Sequence, residues 1–405
     1  MINLMIYSLV NSLYSLLLLP FCGLNFFTFP FLMIWVIFLN GLYIHIPFCL
    51  KKCNYCDFAS YSGLISRSDE YIAALCREMD FYKGEKVNTV YFGGGTPSLL
   101  TTVQMERLMT CVSSVFDVDS DSEITVEANP CTVNEEITNT WSRLGINRIS
   151  LGAQSFLNSE LKTLGRLHTT EDTIRSYKLL QSAGFSNISL DLMYALPGQT
   201  KESLSTSLEQ MLNLAPKHVS CYGLKIEEGT PFYTMVSNGE ICEKSDDEYA
   251  DMYDMIRCTL SEHGYKQYEL SNFSLEGFES KHNIKYWTMQ DYIGIGLGAS
   301  SLYKGSRFTR TSGFEKYIES FGTSEEYRLS QEERMSEYMI LTLRLVDRGA
   351  IKSEFFGVFG KTIESVFGDA LKKHIANGLI ADRGDSYVLS EKAYYISNSV
   401  LCDFI

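Results

Sequence analysis

From Gly41 onward, short apolar runs alternate with longer stretches whose apolar residues recur every three to four positions. The runs at 41–46, 89–92, 123–128, 148–153, 188–193 and 219–222 predict strands. The stretches at 69–83, 102–113, 134–144, 170–183 and 201–212 predict helices, and in the first of them Ile72, Leu75, Cys76 and Met79 follow the i, i+3, i+4, i+7 rule. Strands alternating with crossover helices force a parallel sheet. Six such units are too few to close an eight-stranded barrel, so the expected class is α/β, a partial, open (β/α)6 barrel. Parallel α/β folds bind ligands at the carboxyl ends of their strands. Chemistry-bearing motifs should therefore follow the strands.

They do. Cys49, Cys53 and Cys56, spaced C-x3-C-x2-C, follow the first run. A loop this short can present three thiolates together, and soft thiolates suit iron–sulfur clusters. Three ligands on a [4Fe–4S] cluster leave one iron open to a small molecule. A structural zinc site would show a second Cys/His pair, and none lies nearby. Gly93-Gly94-Gly95-Thr96-Pro97 follows the second run, where glycines allow a backbone to approach a ligand closely. It lacks the Lys of a phosphate loop. Glu127 closes the third run, Gln154 follows the fourth, and Asp191 lies near the end of the fifth, just before Leu196-Pro197-Gly198-Gln199-Thr200.

The charge of −14 and the absence of a long Lys/Arg run argue against nucleic acid as a partner. Eleven cysteines, scattered apart from the clustered three, do not form a disulfide framework in a chain this long. Most of them read as buried thiols of a reducing compartment. Residues 1–40 are a hydrophobic extension, and the first fifty residues hold no Asp, Glu, Lys or Arg. Two readings stand for it. One is a membrane segment, since 21–39 is long enough to span a bilayer. The other, favoured by Pro20, Pro30, Asn11 and Asn25 and by the direct run into the first strand, is a start codon placed too early, with Met33 as a later start.

Beyond the barrel unit (41–265), residues 266–329 carry His282-Asn283-Ile284-Lys285-Tyr286-Trp287 and then Gly294–Ser301, a glycine run without the βαβ frame of a dinucleotide fingerprint. The run reads as a close-packing loop. His282 is the type of residue that ligates haem iron, and Tyr286 and Trp287 the type that stacks on a porphyrin. On these residues alone, a hydrogen-bonded core histidine beside aromatics is the better account of the stretch. From residue 330 to 405, two amphipathic helices at 332–345 and 362–377, a hairpin turning at Arg383-Gly384-Asp385 and a further helix from Glu391 suggest a small α+β domain of winged-helix type.

The cysteine spacing is that of the radical S-adenosylmethionine (SAM) family. Residues 41–400 resemble its branch containing oxygen-independent coproporphyrinogen III oxidase and the haem chaperone HemW. The resemblance is carried by 43–49, 93–98, 147–156, 164–168 and 191–200. It implies that Cys49, Cys53 and Cys56 hold the cluster, and that Tyr43, Tyr55, Gly94, Gly95, Thr96, Glu127, Gln154, Arg166 and Asp191 contact SAM. Carboxylates suit the ribose diol or the sulfonium, and Arg suits the SAM carboxylate. Phe58 stands where the oxidase has a further cysteine, and the His282–Trp287 motif is intact. Both favour the haem chaperone, with haem bound by His282, Tyr286 and Trp287. Relatives often carry His at the place of Ser300. The resemblance further implies haem-accepting respiratory membrane proteins as partners, compatibility with a homodimer, and a cytoplasmic setting at the inner face of the membrane. The alternative is a true radical oxidase that decarboxylates coproporphyrinogen III.

Overall fold

The computed structural model describes residues 39–405. The two readings of the extension therefore fall, up to residue 38, outside the described residues. Six strands follow one another in the sheet: β1 (Asn40–Ile46), β2 (Lys86–Gly94), β3 (Asp117–Ala128), β4 (Arg148–Gln154), β5 (Asn187–Tyr194) and β6 (His218–Gly223). Each pairs in parallel with its predecessor. The crossovers hold α1 (Ser68–Met79), α2 (Thr102–Val115), α3 (Glu135–Arg143), α4 (Thr170–Ser182) and α5 (Lys201–Leu212). Their starts are written in the sequence. Thr101, Thr169 and Thr200 close reciprocal capping boxes with Gln104, Asp172 and Ser203, satisfying N–H groups that a helix leaves free.

Alternation sorts the sheet's two faces. Ile44, Val90, Phe92, Val126, Ile149, Leu151, Leu190 and Val219 point outward into one apolar core with the helices. Their neighbours in the strands point to the concave side: Thr89 and Tyr91, Thr125 and Glu127, Arg148 and Ser150, Ser189 and Asp191, His218 and Tyr222. The open barrel thus has a dry wall of helices and a polar interior.

The chain then extends both edges. After α6 (Asp246–Glu262) come β7 (Lys266–Glu269) and β8 (Asn272–Ser274); β8 pairs antiparallel with β6, and β7 pairs antiparallel with β8. The helix α7 (Lys281–Trp287) follows, and β9 (Tyr292–Ile295) returns parallel to β1. Beyond it, β10 (Ser300–Tyr303), β11 (Ser306–Arg310) and, after α8 (Phe314–Ser320), β12 (Thr323–Arg328) are antiparallel. The resulting twelve-stranded order is β12-β11-β10-β9-β1-β2-β3-β4-β5-β6-β8-β7, whose ends never pair. The glycine run 294–301 packs closely as expected, but inside a strand–turn–strand unit: a Cβ at Gly294 would stand 2.2 Å from the Ser300 carbonyl oxygen. Ser300 is buried, its hydroxyl 2.8 Å from that of Thr309.

A second apolar core lies in the C-terminal part. There α9 (Gln331–Thr342), α10 (Lys352–Phe359) and α11 (Ile363–Ala376) pack on a small antiparallel sheet of β13 (Ala350–Ile351), β14 (Ile380–Asp382) and β15 (Ser386–Leu389). In place of one further helix from Glu391, the chain makes a 3-10 turn and a short helix, Ser397–Leu401. Buried ion pairs tie this part to the barrel: Arg307 to Glu337 on α9, and Arg344 to Glu269 on β7.

The cysteine reading needs correction. Cys76 on α1 and Cys111 on α2 form a disulfide, because the two helices pack side by side and bring their Cα atoms to 5.8 Å. Cys131, Cys242, Cys258 and Cys402 are exposed, and among the described residues Cys221 is the one buried free thiol. Among the described residues, no helix is long and apolar enough to cross a membrane.

One carboxylate holds the closing edge to the barrel. Glu78 on α1 is fully buried and accepts from the Gly296 amide at 2.9 Å, the Tyr317 hydroxyl at 2.5 Å and Arg310 Nε at 2.5 Å. Replacing Glu78 by Ala strands the half-buried Arg310 and should cost about 3–5 kcal/mol in urea denaturation. A loss under about 1 kcal/mol would show that water readily replaces the carboxylate.

Candidate functional site

The cluster loop leaves β1 and is pinned from outside. The amide of Asn54 donates to the Leu164 carbonyl at 3.0 Å, its side chain donates to the Thr163 carbonyl at 2.9 Å, and its own carbonyl accepts from the Phe232 amide at 2.9 Å. Gly165, at φ +74°, leaves room for Asn54: a Cβ there would fall 2.9 Å from Asn54 Oδ1. The loop thus holds Cys49, Cys53 and Cys56 half-buried at the carboxyl end of β1. Thr96 Oγ1 lies 3.7 Å from Cys49 Sγ, and Arg166 Nη1 lies 3.6 Å from Cys53 Sγ. Burial pushes the Cys49 and Cys56 thiols up, while Thr96, Ser60 and Arg166 pull the Cys49 thiol back down.

Among the described residues, no three such donors converge on a single ion. A four-iron cluster asks for something else, since each thiolate takes a different iron. The donor chemistry fits that group: three soft ligands, with the Thr96 hydroxyl beside Cys49 and the Arg166 guanidinium beside Cys53. An open cleft of about 290 Å³ adjoins the loop, lined by Cys53, Thr96, Arg166, Asn129 and Cys131 among others.

The glycine turn fits a close approach. Gly94 has φ +115°, and a Cβ there would stand 2.4 Å from the His45 ring. A Cβ at Gly95 would stand 2.7 Å from the Phe48 carbonyl oxygen. The Gly94 amide donates to Glu127 Oε2 at 3.0 Å, and the Tyr91 hydroxyl donates to Glu127 Oε1 at 2.9 Å. Gln154 ends β4 at φ +65°, a conformation costly for a residue with a side chain, and accepts from the Tyr222 hydroxyl at 2.6 Å. Arg166 Nη2 donates to the Gly152 carbonyl at 2.8 Å. Burial works against the guanidinium's charge, but Tyr55 and Cys53 hold its pKa above the ordinary value. Tyr43 shares a hydrogen bond of 2.9 Å with His45 and stacks on Tyr91, and Tyr55 packs with Leu164, Met193 and Phe232. Asp191 accepts from Ser150 at 3.0 Å and Ser189 at 3.3 Å. Burial pushes its carboxyl up to about 7, with Glu127 adding repulsion.

Twelve of the fifteen residues expected to serve cluster or SAM or haem thus sit at one mouth: the three cysteines, Tyr43, Tyr55, Gly94, Gly95, Thr96, Glu127, Gln154, Arg166 and Asp191. His282, Tyr286 and Trp287 sit elsewhere. The amides of Lys281 and His282 donate to the Glu123 carboxylate at 3.1 and 3.0 Å, which plants α7 beside the middle of β3, two residues before Thr125. His282 is buried, with Nδ1 2.8 Å from the Thr89 hydroxyl and Nε2 2.8 Å from the Tyr286 hydroxyl. Burial takes its pKa down to about 3, so the ring is neutral. It stacks on Tyr91, which stacks on Tyr43, a ladder running from α7 toward the mouth. Trp287 is buried under the Arg344 guanidinium, 4.5 Å from its ring centre. The sequence reading missed Tyr91, Tyr222, Ser150 and Ser189, although every second residue of these strands being polar was a signal for them.

The profile of the radical SAM superfamily matches residues 43–211, and that of the HemN C-terminal domain matches 329–396. The chain is 38% identical over 369 residues to the heme chaperone HemW of Lactococcus lactis, covering 90% of this chain and 97% of that one. It is 35% identical to the HemW proteins of Bacillus subtilis and Escherichia coli, covering 99% and 97% of their lengths and 91% and 89% of this chain. In structure it is similar to coproporphyrinogen III oxidase (HemN) from Escherichia coli, a radical SAM enzyme, with a TM-score of 0.79 at 20% identity over 90% of each chain. That last likeness concerns the fold.

The raised carboxyl of Asp191 sets a pH dependence. Below its unfolded value of 3.8 the group is protonated in both states and costs nothing. As pH rises toward about 7, the unfolded chain releases a proton that the folded one keeps, and stability falls. Cofactor-free protein should lose up to ~4 kcal/mol between these limits, less whatever solvation the half-buried carboxyl retains. Asp191→Asn should remove that slope; denaturation curves at pH 5 and pH 8 with the same wild-type and variant difference would refute the assignment.

Proposed function

We propose that this chain, which belongs to the HemW family of radical SAM proteins, is a haem chaperone that carries a [4Fe–4S] cluster and SAM and delivers haem to respiratory proteins of the membrane. The observation that carries the reading is the match to heme chaperones along almost their whole length. Absence of a further cysteine at Phe58 supports the chaperone over the oxidase.

In this reading Cys49, Cys53 and Cys56 hold the cluster, and the fourth iron is left for SAM. Bound cluster and SAM together supply one-electron chemistry. The chain's own groups do the holding. Gly94 and Gly95 let the main chain approach the amino-acid end of SAM, and Thr96 and Arg166 stand beside two of the thiolates. Glu127 and Asp191 offer carboxyl oxygens to an amino group or a ribose diol, Gln154 contributes an amide, and Tyr43 and Tyr55 flank the mouth. Haem is assigned to the His282–Trp287 stretch. His282 can reach an iron only by giving up its bond to Thr89, which opens the contact of α7 with the barrel, or its bond to Tyr286 within α7. The setting we assign is the cytoplasm, with docking at the inner face of the membrane.

Reconstituted, cluster-replete protein should bind haem, and should form no protoporphyrinogen IX from coproporphyrinogen III under strong reductant and SAM. Appearance of that product would make the chain an oxidase. Cys53→Ala should lose the cluster iron and sulfide. His282→Ala should shift the spectrum of bound haem and weaken its binding about tenfold or more; an unchanged spectrum and affinity would move haem to another part of the molecule.

A further inference from the structure

We propose that the amino-terminal level of the barrel interior, built around Arg148 and Thr125, is a binding site for a carboxylate group. Arg148 opens β4 and is 1% exposed. Its Nε and Nη1 meet no acceptor among the described residues. Thr125 is its register partner on β3, fully buried, and its Oγ1 is also without a partner among the described residues. Both side chains share the concave face with Ser150 and Glu127, which are register partners of each other and lie two residues closer to the mouth. The guanidinium's charge is felt by Asp191, Glu127, His218 and His282, which places it among the groups lining that interior.

Buried polar groups in folded proteins have partners, and a buried guanidinium is the most demanding of them. The nearby carboxyls are committed elsewhere. Glu123 accepts from the amides of Lys281 and His282. Glu127 accepts from Tyr91 and the Gly94 amide. Asp191 accepts from Ser150 and Ser189. What is left at this level is a fixed positive charge with two unspent donor nitrogens and one hydroxyl. An anion that only accepts hydrogen bonds matches such a set better than water, which must also donate. The half-buried Asp191 above it shows that the interior is reachable from the mouth at least to that depth.

Two sources offer a carboxylate: a small free acid, or a propionate arm of a porphyrin. Only the second rests on the haem reading. The whole cofactor-free chain is titrated with formate while thermal unfolding is followed. Formate should raise the unfolding temperature of the wild type, and Arg148→Met should need at least about tenfold more for the same rise. Arg148→Lys, which keeps the charge, should retain part of the response and guards against a folding defect in the Met variant. Bromide-soaked crystals of the wild type should show anomalous density against Arg148. Equal formate responses in wild type and both variants, or water alone against the guanidinium, would overturn the site. Haem and haem dimethyl ester then separate the sources. Loss of the formate response with haem but not with the diester assigns the site to a propionate; persistence with both assigns it to a small free acid. A wild-type chain that binds no haem at all would overturn the chaperone reading and leave the formate result intact.

Discussion

Everything in this molecule depends on one consequence of strand geometry: successive side chains point to opposite faces. In a parallel sheet buried on both sides, strands would read as continuous apolar runs. Here they do not. Ile149, Leu151 and Ala153 of β4 enter the helical core, while Arg148, Ser150 and Gln154 face the interior. A one-residue slip in any strand would drive a carboxylate or guanidinium into the aliphatic layer, so register is strongly specified. The pattern that builds the barrel is therefore also the one that loads its interior with functional groups.

The mouth shows the cost of that arrangement and how the fold carries it. Gln154 takes a left-handed backbone conformation, and Gly94 and Gly95 occupy positions where a side chain would collide with His45 or the main chain after β1. Such strain persists only when surrounding structure over-determines it. Asn54 anchors the cysteine loop to the turn at 163–165, and Glu127 ties the glycine turn to β3. Rigid elements thus present the thiols, and the loop itself contributes little freedom.

Most strands and crossover helices of the barrel were legible in the sequence to within a few residues, because they carried their own periodicity and, in α2 to α5, a side-chain cap; the exceptions are β3, which begins six residues before the run that predicts it, and α1, which has no side-chain cap. The mouth was legible too, since a parallel fold sends every strand-end motif to one face. What could not be read was pairing between elements. Nothing local announces that Cys76 and Cys111 face each other across two helices, or that β9 returns to lie beside β1. His282 shows the same limit from the other side. Its motif names a chemistry, yet its partners, Thr89 from β2 and Tyr286 one turn on, are fixed only once α7 is planted on Glu123.

That placement makes α7 the element that touches both the barrel interior and the C-terminal part. Its amino terminus holds the Glu123 carboxylate, an arrangement favoured by the free amides and dipole of a helix start. Its His282 stacks beneath Tyr91, which is bonded to Glu127, which in turn is bonded to the Gly94 amide at the mouth. Its Trp287 lies under Arg344, which pairs with Glu269 and so reaches the C-terminal part. A ligand that draws the His282 ring away from Thr89 also takes it from its stack on Tyr91. Under the haem reading proposed above, a ligand at His282 would meet the same run of packed side chains, Tyr91 and Glu127, that ends at the Gly94 amide.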